Sequence, residues 1–155
     1  MHHTQESGEA VLSIGVDIGG TKVAAGVVDE DGEILRHLVR PTPSRSPEAV
    51  ENAIVEVVDS LSDGLPVKSA GIGAAGWVDT EQALVRFSPH LAWRNEPLRD
   101  RLSERIDLPV IVDNDANAAA WAEYEFGAGR DSRVMTCITL GTGIGGALGI
   151  NGRGV

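Results

Sequence analysis

The sequence contains one cysteine among its 155 residues, and this scarcity excludes two ways of stabilising a fold. A disulfide framework and a cysteine-based zinc cluster each need several cysteines. Cys137 lies in an apolar run, and we interpret it as a buried structural residue. The chain therefore depends on an apolar core, for which a hydrophobic share of 42% is sufficient.

Basic residues are also scarce. Thirteen lysines and arginines stand against 23 acidic residues, which gives a formal net charge of −10, and no basic run occurs. Nucleic acid is therefore a poor partner, since its phosphates bind clustered lysine and arginine. A phosphate-containing ligand would instead be held by backbone amides, by a helix terminus or through Mg²⁺.

Long apolar segments are missing too. No apolar run reaches the length of a membrane span, and the first residues lack the basic and apolar regions of a signal peptide. We expect residues 1–10 to be a disordered tail, and the protein to be cytoplasmic with no membrane partner. The length fits one domain, or one domain and part of a second.

The pattern that is present is typical of an α/β domain. Ser46 followed by Pro47 predicts the start of a first helix that Gly64 ends, and Asn114 or Asp115 begins a third helix that runs to about residue 126. The order of elements predicts a mixed sheet rather than a parallel one. We predict strands at residues 11–17, 21–28, 33–40, 67–74, 83–87, 109–112, 134–140 and 147–150, and a second helix at residues 97–106.

Two glycine-rich turns each follow an apolar strand. Glycine has no Cβ, so each turn can bring backbone N–H groups close to a phosphate. We call residues 15–22 the first turn and residues 141–146 the second turn. The predicted phosphate-binding residues are Gly15, Asp17, Ile18, Gly19, Gly20, Thr21 and Lys22 in the first turn, and Gly141, Thr142, Gly143, Ile144, Gly145 and Gly146 in the second.

The first turn carries polar groups besides glycine. Asp17 ends the strand, where a carboxylate can face a Mg²⁺ ion held with ATP phosphates, directly or through water. Thr21 adds a hydroxyl and Lys22 a positive charge. Taken alone, these residues also fit an ordinary β-hairpin, and it is the presence of the second turn that favours phosphate binding.

Two glycine triplets have the spacing of a dinucleotide-binding motif, which requires a helix to begin inside it. Neither is followed by a helical pattern, so we exclude that class of site. The earlier triplet leaves two alternatives open, a strand packed closely against its neighbours or a strand approached by a ligand. The triplets are Gly71, Gly73 and Gly76, and Gly141, Gly143 and Gly146.

Three polar residues, Asp113, Asn114 and Asp115, follow an apolar strand, and strand ends are where α/β sheets collect ligands. A helix cap needs only one polar side chain, so three are more than capping explains, although Asn114 or Asp115 also caps the next helix. A carboxylate beside an amide can accept from and donate to neighbouring hydroxyls, as a sugar requires. We therefore predict that Asp115 is the general base that takes a proton from a hydroxyl nucleophile in phosphoryl transfer.

Four segments resemble, in order and spacing, the ROK family of sugar kinases and repressors, and within it the bacterial ATP-dependent glucokinases. The resemblance covers nearly the whole chain from residue 12 onward. It implies an actin- and hexokinase-like (ribonuclease H-like) fold, with ATP and Mg²⁺ bound between two lobes and a hexose in the cleft. The segments are Asp17-Ile-Gly-Gly-Thr-Lys22, Gly73-Ala-Ala-Gly76, Asn114-Asp115-Ala-Asn-Ala-Ala-Ala120 and Leu140-Gly-Thr-Gly-Ile-Gly-Gly146.

The resemblance also implies residue roles. It places the catalytic base at Asp115, sugar contacts at Asn114, Gly76 and His90, and the metal near Asp17; at His90 the family more often has asparagine. The implied reaction is ATP-dependent phosphorylation of a hexose 6-hydroxyl, with glucose expected. The alternatives are another hexose, namely N-acetylglucosamine, mannose or fructose, and a sugar-responsive transcriptional regulator of the same family.

By the same resemblance, residues 11–113 form an amino-terminal small lobe and residues 114–155 the beginning of a truncated large lobe. Family members continue with a Glu-x-Gly-His sugar motif, a cysteine-rich structural zinc site and an adenosine pocket, none of which occurs in this sequence. We expect the full-length protein to be a homo-oligomer. We also expect residues 1–155 alone to have little or no kinase activity.

Overall fold

The computed structural model describes residues 10–43, 46–141 and 143–154. The expected amino-terminal tail therefore lies almost wholly outside the described residues, as does Thr142 of the second turn. None of the helices in these ranges is both long and apolar enough to cross a membrane. The elements in chain order are β1 (Leu12–Ile18), β2 (Lys22–Val28), β3 (Ile34–Pro41), α1 (Pro47–Ser62), β4 (Val67–Ala74), β5 (Trp77–Val78), β6 (Val85–Phe87), β7 (Arg94–Glu96), α2 (Leu98–Ser103), β8 (Val110–Asn114), α3 (Asp115–Glu125), β9 (Val134–Leu140), β10 (Ile144–Ile150) and β11 (Arg153–Gly154).

A five-stranded sheet forms the centre of the molecule, in the order β3-β2-β1-β4-β8. β2 pairs antiparallel with β1 and β3, while β4 pairs parallel with β1 and β8. The predicted mixed α/β sheet is confirmed. Because β1, β4 and β8 run in the same direction, their carboxyl ends meet at one edge of the sheet.

Helices α1 and α2 pack against this sheet and bury its core. Ser46 Oγ accepts a hydrogen bond from the amide of Ala49 at 3.4 Å and Pro47 is the first helical residue, which confirms the predicted start of α1. Each fully buried aliphatic side chain stabilises the fold by about 1.5–3 kcal/mol relative to an exposed one. The largest fully buried side chains include Ile14, Ile18, Val23, Val27, Val50, Ile54, Val57, Val58, Val85, Trp93, Leu98 and Leu102.

The later part of the chain contains α3 and a three-stranded antiparallel sheet, β9-β10-β11, which we call the hairpin sheet. Helix α3 packs against β9 and β10. Burial alternates along both strands, so one face of the hairpin sheet meets α3 and the other is exposed. The large apolar residues on β9 and β10 that remain exposed are Val134, Ile138, Leu140, Ile144, Leu148 and Ile150.

Several boundaries differ from the sequence prediction. The pattern does not predict β5, β7 or β11, because each has only two or three residues, too few for a period to register. β10 begins at Ile144, so the predicted start at residue 147 is wrong: Gly145 and Gly146 pair with β9 and do not belong to the loop. Helix α2 is shorter at both ends than predicted.

Candidate active site

The carboxyl ends of β1, β4 and β8 bring several candidate residues together. Asp17 on β1 pairs with Gly73 on β4, and Gly73 pairs with Asp113 on β8. Asn114 and Asp115 follow immediately, where β8 passes directly into α3. One edge of the sheet therefore carries three carboxylates and one amide at the ends of its parallel strands.

Asn114 joins α3 to the segment that follows β4. It is the N-cap of α3, since its Oδ1 accepts hydrogen bonds from the amides of Ala116 at 2.9 Å and Asn117 at 3.2 Å. Its Nδ2 donates to the carbonyl of Gly76 at 2.8 Å. An amide NH₂ has two hydrogens, so one remains to donate to a ligand. The capping alternative is thus realised by Asn114, and it leaves Asp115 unneeded as the cap.

Asp115 keeps one carboxylate oxygen available. Its Oδ1 accepts from the amide of Ala116 at 2.9 Å. Among the described residues, its Oδ2 receives no hydrogen bond, so it can accept a proton from a bound hydroxyl. A Cβ built on Gly73 would lie 3.6 Å from the Asp115 Cα, which shows that the start of α3 lies directly beside β4.

Asp113, by contrast, is occupied within the protein. Its Oδ1 accepts from the Asn114 amide at 2.7 Å and from Asn117 Nδ2 at 3.1 Å, and its Oδ2 accepts from Gln82 Nε2 at 2.9 Å. These bonds fix the turn from β8 into α3. Sequence reasoning missed Gln82 and Asn117, because nothing in their local pattern indicates that they share a carboxylate.

At this edge of the sheet the charges of Asp17 and Asp115 affect one another. Although much of Asp17 is exposed, the surrounding protein removes part of the water from its carboxyl group, and this raises its pKa. The negative charge of Asp115 raises that pKa further, while the positive charge of Lys22 lowers it. The carboxyl group of Asp17 thus interacts with the charges of Asp115 and Lys22 next to the first turn.

The first turn is held by its own chain. The Gly19 amide donates to the carbonyl of Lys22 at 3.0 Å, and the Thr42 hydroxyl donates to the carbonyl of Gly19 at 2.8 Å. A Cβ built on Gly20 would lie 2.6 Å from the Cβ of His90, closer than real atoms approach. The close packing of His90 therefore requires glycine at position 20. His90 is also the residue for which the sequence predicted a sugar contact.

The remaining candidates of the first turn differ in what they can offer. Ile18 is fully buried, and its carbonyl accepts from the Ala75 amide at 3.3 Å, so its side chain belongs to the core. Gly15 lies in the middle of β1, two residues before Asp17. Thr21 and Lys22 are exposed. Their phosphate-binding roles stay predictions.

Gly76 distinguishes between the two alternatives for the earlier glycine triplet. A Cβ built there would overlap the carbonyl oxygen of Phe87 and lie 3.2 Å from the Cα of Ser88. The Ser88 hydroxyl donates to the carbonyl of Ala75 at 2.7 Å in the same place. Close packing against a neighbouring segment is what requires this glycine, and the carbonyl of Gly76 holds Asn114. A sugar contact at Gly76 stays a prediction.

The second turn is open by comparison at Gly141 and Gly143. The Gly141 amide donates to the carbonyl of Gly143 at 2.9 Å, and no described atom outside the neighbouring residues lies within 4 Å of a Cβ built on either glycine. A Cβ on Gly145 would lie 3.0 Å from that of Ala116. The strand that leaves the second turn therefore packs against the first turn of α3, next to Asp115.

A Mg²⁺ ion held together with ATP phosphates fits the oxygen chemistry of the sheet edge. Mg²⁺ is usually bound through one or two carboxylates, with substrate phosphates and waters completing its shell. Asp17 and Asp115 are close enough for the charge of one to raise the pKa of the other. The part of the chain that the structure describes contains no group of three or more His, Cys, Asp or Glu side chains arranged to hold a metal unaided.

Comparison with known proteins places these features in a family. The sequence profile described as "ROK family" matches residues 13–155. The chain belongs to the ROK family. It is 52% identical over 142 residues to a glucokinase of Streptomyces coelicolor and 37% identical over 149 residues to an N-acetylmannosamine kinase of Escherichia fergusonii, matches that each cover 92% of this chain.

A solved ROK structure matches the fold as well. The crystal structure of a ROK family glucokinase from Streptomyces griseus in complex with glucose and AMPPNP is similar with a TM-score of 0.89, 53% identity and 93% coverage of this chain. The predicted actin- and hexokinase-like fold and the predicted family are confirmed. This chain spans 44% of the S. coelicolor protein and 46% of the S. griseus chain, about half the length of these relatives.

Proposed function

We propose that the full-length protein containing this chain is an ATP-dependent sugar kinase that phosphorylates the 6-hydroxyl of a hexose, with glucose as its substrate. The observation that carries the proposal is the pairing of Asp115, which has an available carboxylate oxygen, with Asn114, which has an available amide hydrogen. The similarity to a glucokinase crystallised with glucose and AMPPNP supports the sugar and the nucleotide.

In this mechanism Asp115 Oδ2 accepts the proton of the sugar 6-hydroxyl as that oxygen attacks the γ-phosphorus of ATP, the bond from that phosphorus to the bridging oxygen breaks, and ADP leaves. Asn114 Nδ2 donates to a neighbouring hydroxyl and orients the sugar, and α3 holds both side chains because Asn114 caps it. The backbone amides of the two turns bind the phosphates. Mg²⁺ bound with ATP near Asp17 would neutralise phosphate charge.

General-base catalysis and orientation contribute to the rate by different amounts. A general base such as Asp115 accelerates a reaction by roughly 10²–10⁴-fold. Orientation of two bound reactants contributes about 7–11 kcal/mol. Orientation is therefore the larger effect, and it depends on every segment that lines the cleft.

The test of the proposal is Asp115→Asn in the full-length protein. We expect kcat for glucose phosphorylation to fall by roughly 10²–10⁴-fold, while the melting temperature changes little because Asn114 remains the cap. Asp59→Asn, a substitution of the same kind on the exposed surface of α1, is the matched control. An unchanged kcat in Asp115→Asn would show that Asp115 has no catalytic role.

The choice of glucose has its own test. An N-acetylmannosamine kinase is also among the relatives, so kcat/KM is to be measured for glucose, mannose, fructose, N-acetylglucosamine and N-acetylmannosamine. We expect glucose to give the highest value, because the relatives with 52% and 53% identity are both glucokinases. A higher value for an N-acetylated sugar would overturn the assignment of glucose and leave the kinase proposal intact.

A further inference from the structure

The loop of residues 88–93, between β6 and β7, connects the first turn with the sugar side of the site. Its His90 packs against Gly20 of the first turn. The strand residue just before it, Phe87, packs with its carbonyl against Gly76, whose own carbonyl holds Asn114. A shift of this loop would therefore change the contacts of both Gly20 and Gly76.

The loop has little regular structure to hold it. Its residues lie between two three-residue strands, and in the described chain none of them takes part in a backbone–backbone hydrogen bond outside helices and strands. The buried side chains of Leu91 and Trp93 anchor the loop in the core, and the Ser88 hydroxyl donates to the carbonyl of Ala75 at 2.7 Å. The backbone carbonyls of the loop still need a donor group, which fixes the path of the loop between these anchors.

Arg94 supplies that group. Its Nη1 donates to the carbonyls of Ser88 at 2.9 Å, Leu91 at 3.3 Å and Trp93 at 2.6 Å. Its guanidinium carbon also lies 4.3 Å from the centre of the Phe87 ring. One side chain therefore contacts both ends and the middle of the segment.

The charge of Arg94 is not used in an ion pair with the described residues, whose ion pairs involve Arg99, Arg101 and Arg105. A planar guanidinium can bond several carbonyls in its plane and stack on an aromatic ring at the same time, whereas the ammonium group of lysine is a point charge without a stacking face. All three hydrogen bonds come from one nitrogen, so the contact with the Phe87 ring is what favours arginine over lysine.

We propose that Arg94 is the positioning residue of the 88–93 loop, and that it sets the affinity of the sugar site by holding His90 against Gly20 and Phe87 against Gly76. The inference rests on the proposed function, because it assumes that this loop borders the hexose. Arg94 acts through the loop backbone and need not touch the substrate.

The experiment compares Arg94→Ala and the milder Arg94→Lys with the wild type in the full-length protein. We expect KM for the hexose to rise roughly ten- to a hundredfold in Arg94→Ala, since misplacing a positioning group by about 1 Å costs on that order, with a smaller rise in Arg94→Lys. Limited proteolysis should cut within residues 88–93 faster in both variants, while the rate of cutting within β1 and β4 does not change.

The matched control is Arg36→Ala. Arg36 Nη1 also donates to two backbone carbonyls, those of Leu61 at 3.3 Å and Asp63 at 2.7 Å, but at the end of α1. We expect it to leave the hexose KM within twofold of the wild type. A hexose KM in the folded Arg94 variants that matches the Arg36→Ala value would overturn the inference.

Failure of the proposed function would look different. It would show as a wild-type protein that phosphorylates no hexose, and the affinity part of the inference would fall with it. Limited proteolysis then still decides the structural part: unchanged cutting within residues 88–93 in Arg94→Ala and Arg94→Lys would show that Arg94 does not hold the loop.

Discussion

The two glycine turns have similar sequences and different surroundings. In the first turn, a Cβ on Gly20 would overlap His90, so the protein itself requires glycine there. In the second turn, Gly141 and Gly143 have open space around them, and the flanking Ile144 is 81% exposed. Packing within the protein thus explains the glycine at position 20, and it does not explain those at positions 141 and 143.

Backbone conformation does not explain Gly141 of the second turn either. The described glycines with positive φ are Gly32, Gly64 and Gly152, and Gly141 is not among them. The proposed reason for glycine at these positions is the close approach of a phosphate, which a side chain would hinder. The comparison therefore predicts a stability effect at Gly20 of the first turn and binding effects at Gly141 and Gly143 of the second.

The largest expected effect is on stability at the first turn. Gly20→Ala should lower the free energy of unfolding by about 1–3 kcal/mol, the usual cost of overpacking, because His90 or the turn must move. Gly141→Ala should change it by no more than about 0.5 kcal/mol. Denaturant unfolding of both variants measures the difference, and equal losses would remove the distinction between the turns.

The second expected effect is on nucleotide binding at the second turn. Gly143→Ala should raise KM for ATP about tenfold, the equivalent of one hydrogen bond to a charged group, without lowering the melting temperature. Gly154→Ala is the matched control, since Gly154 also has open space and lies on β11 away from the turn. An unchanged KM in Gly143→Ala would mean that no phosphate approaches this glycine.

The smallest expected effect is on the pH dependence of the melting temperature. The buried charged residues of the described chain are Glu51 on α1 and Glu96 on β7, both outside α3 and the hairpin sheet. Burial raises the pKa of Glu51 above its ordinary 4.5; the charges of Arg101 and Arg105 oppose this and that of Glu96 adds to it. The folded state therefore binds this proton more tightly than the unfolded state does.

A raised pKa means that the stability contributed by protonated Glu51 is fully present below pH 4.5 and is lost as the pH rises through the folded-state pKa. Glu51→Gln mimics the protonated form. Its melting temperature should therefore rise relative to the wild type between pH 4.5 and pH 8. Glu48→Gln, on the exposed side of the same helix, should show no such trend. Parallel curves for Glu51→Gln and the wild type would contradict the assigned cause.

Much of the fold could be predicted because its signals are local. Ser46 and Pro47 start α1 through capping chemistry that four residues contain, and the long strands show their alternation directly. The strands β5 and β7 could not be predicted, since two or three residues carry no period. They form only because tertiary contacts hold them.

Candidate residues for the site could be selected from the sequence, and their contacts could not; the catalytic and binding roles of those residues stay predictions. Asn114 and Asp115 could be selected because their polarity is unusual at the end of an apolar strand. The packing of His90 on Gly20 joins residues 70 positions apart along the chain, and nothing local to either residue indicates it. Arg94 was missed for the same reason, because its three acceptors are backbone carbonyls that no side-chain pattern reveals.

The strand order also bears on how the polypeptide folds during its synthesis. β1, β2 and β3 pair with their immediate neighbours in the chain, so their loops are short and they can form early. β8 occupies an edge of the five-stranded sheet, and every other strand of that sheet precedes it. The sheet can therefore close as soon as residue 114 has left the ribosome. Asp115 is the next residue, so docking the last strand and placing the proposed base are one folding event.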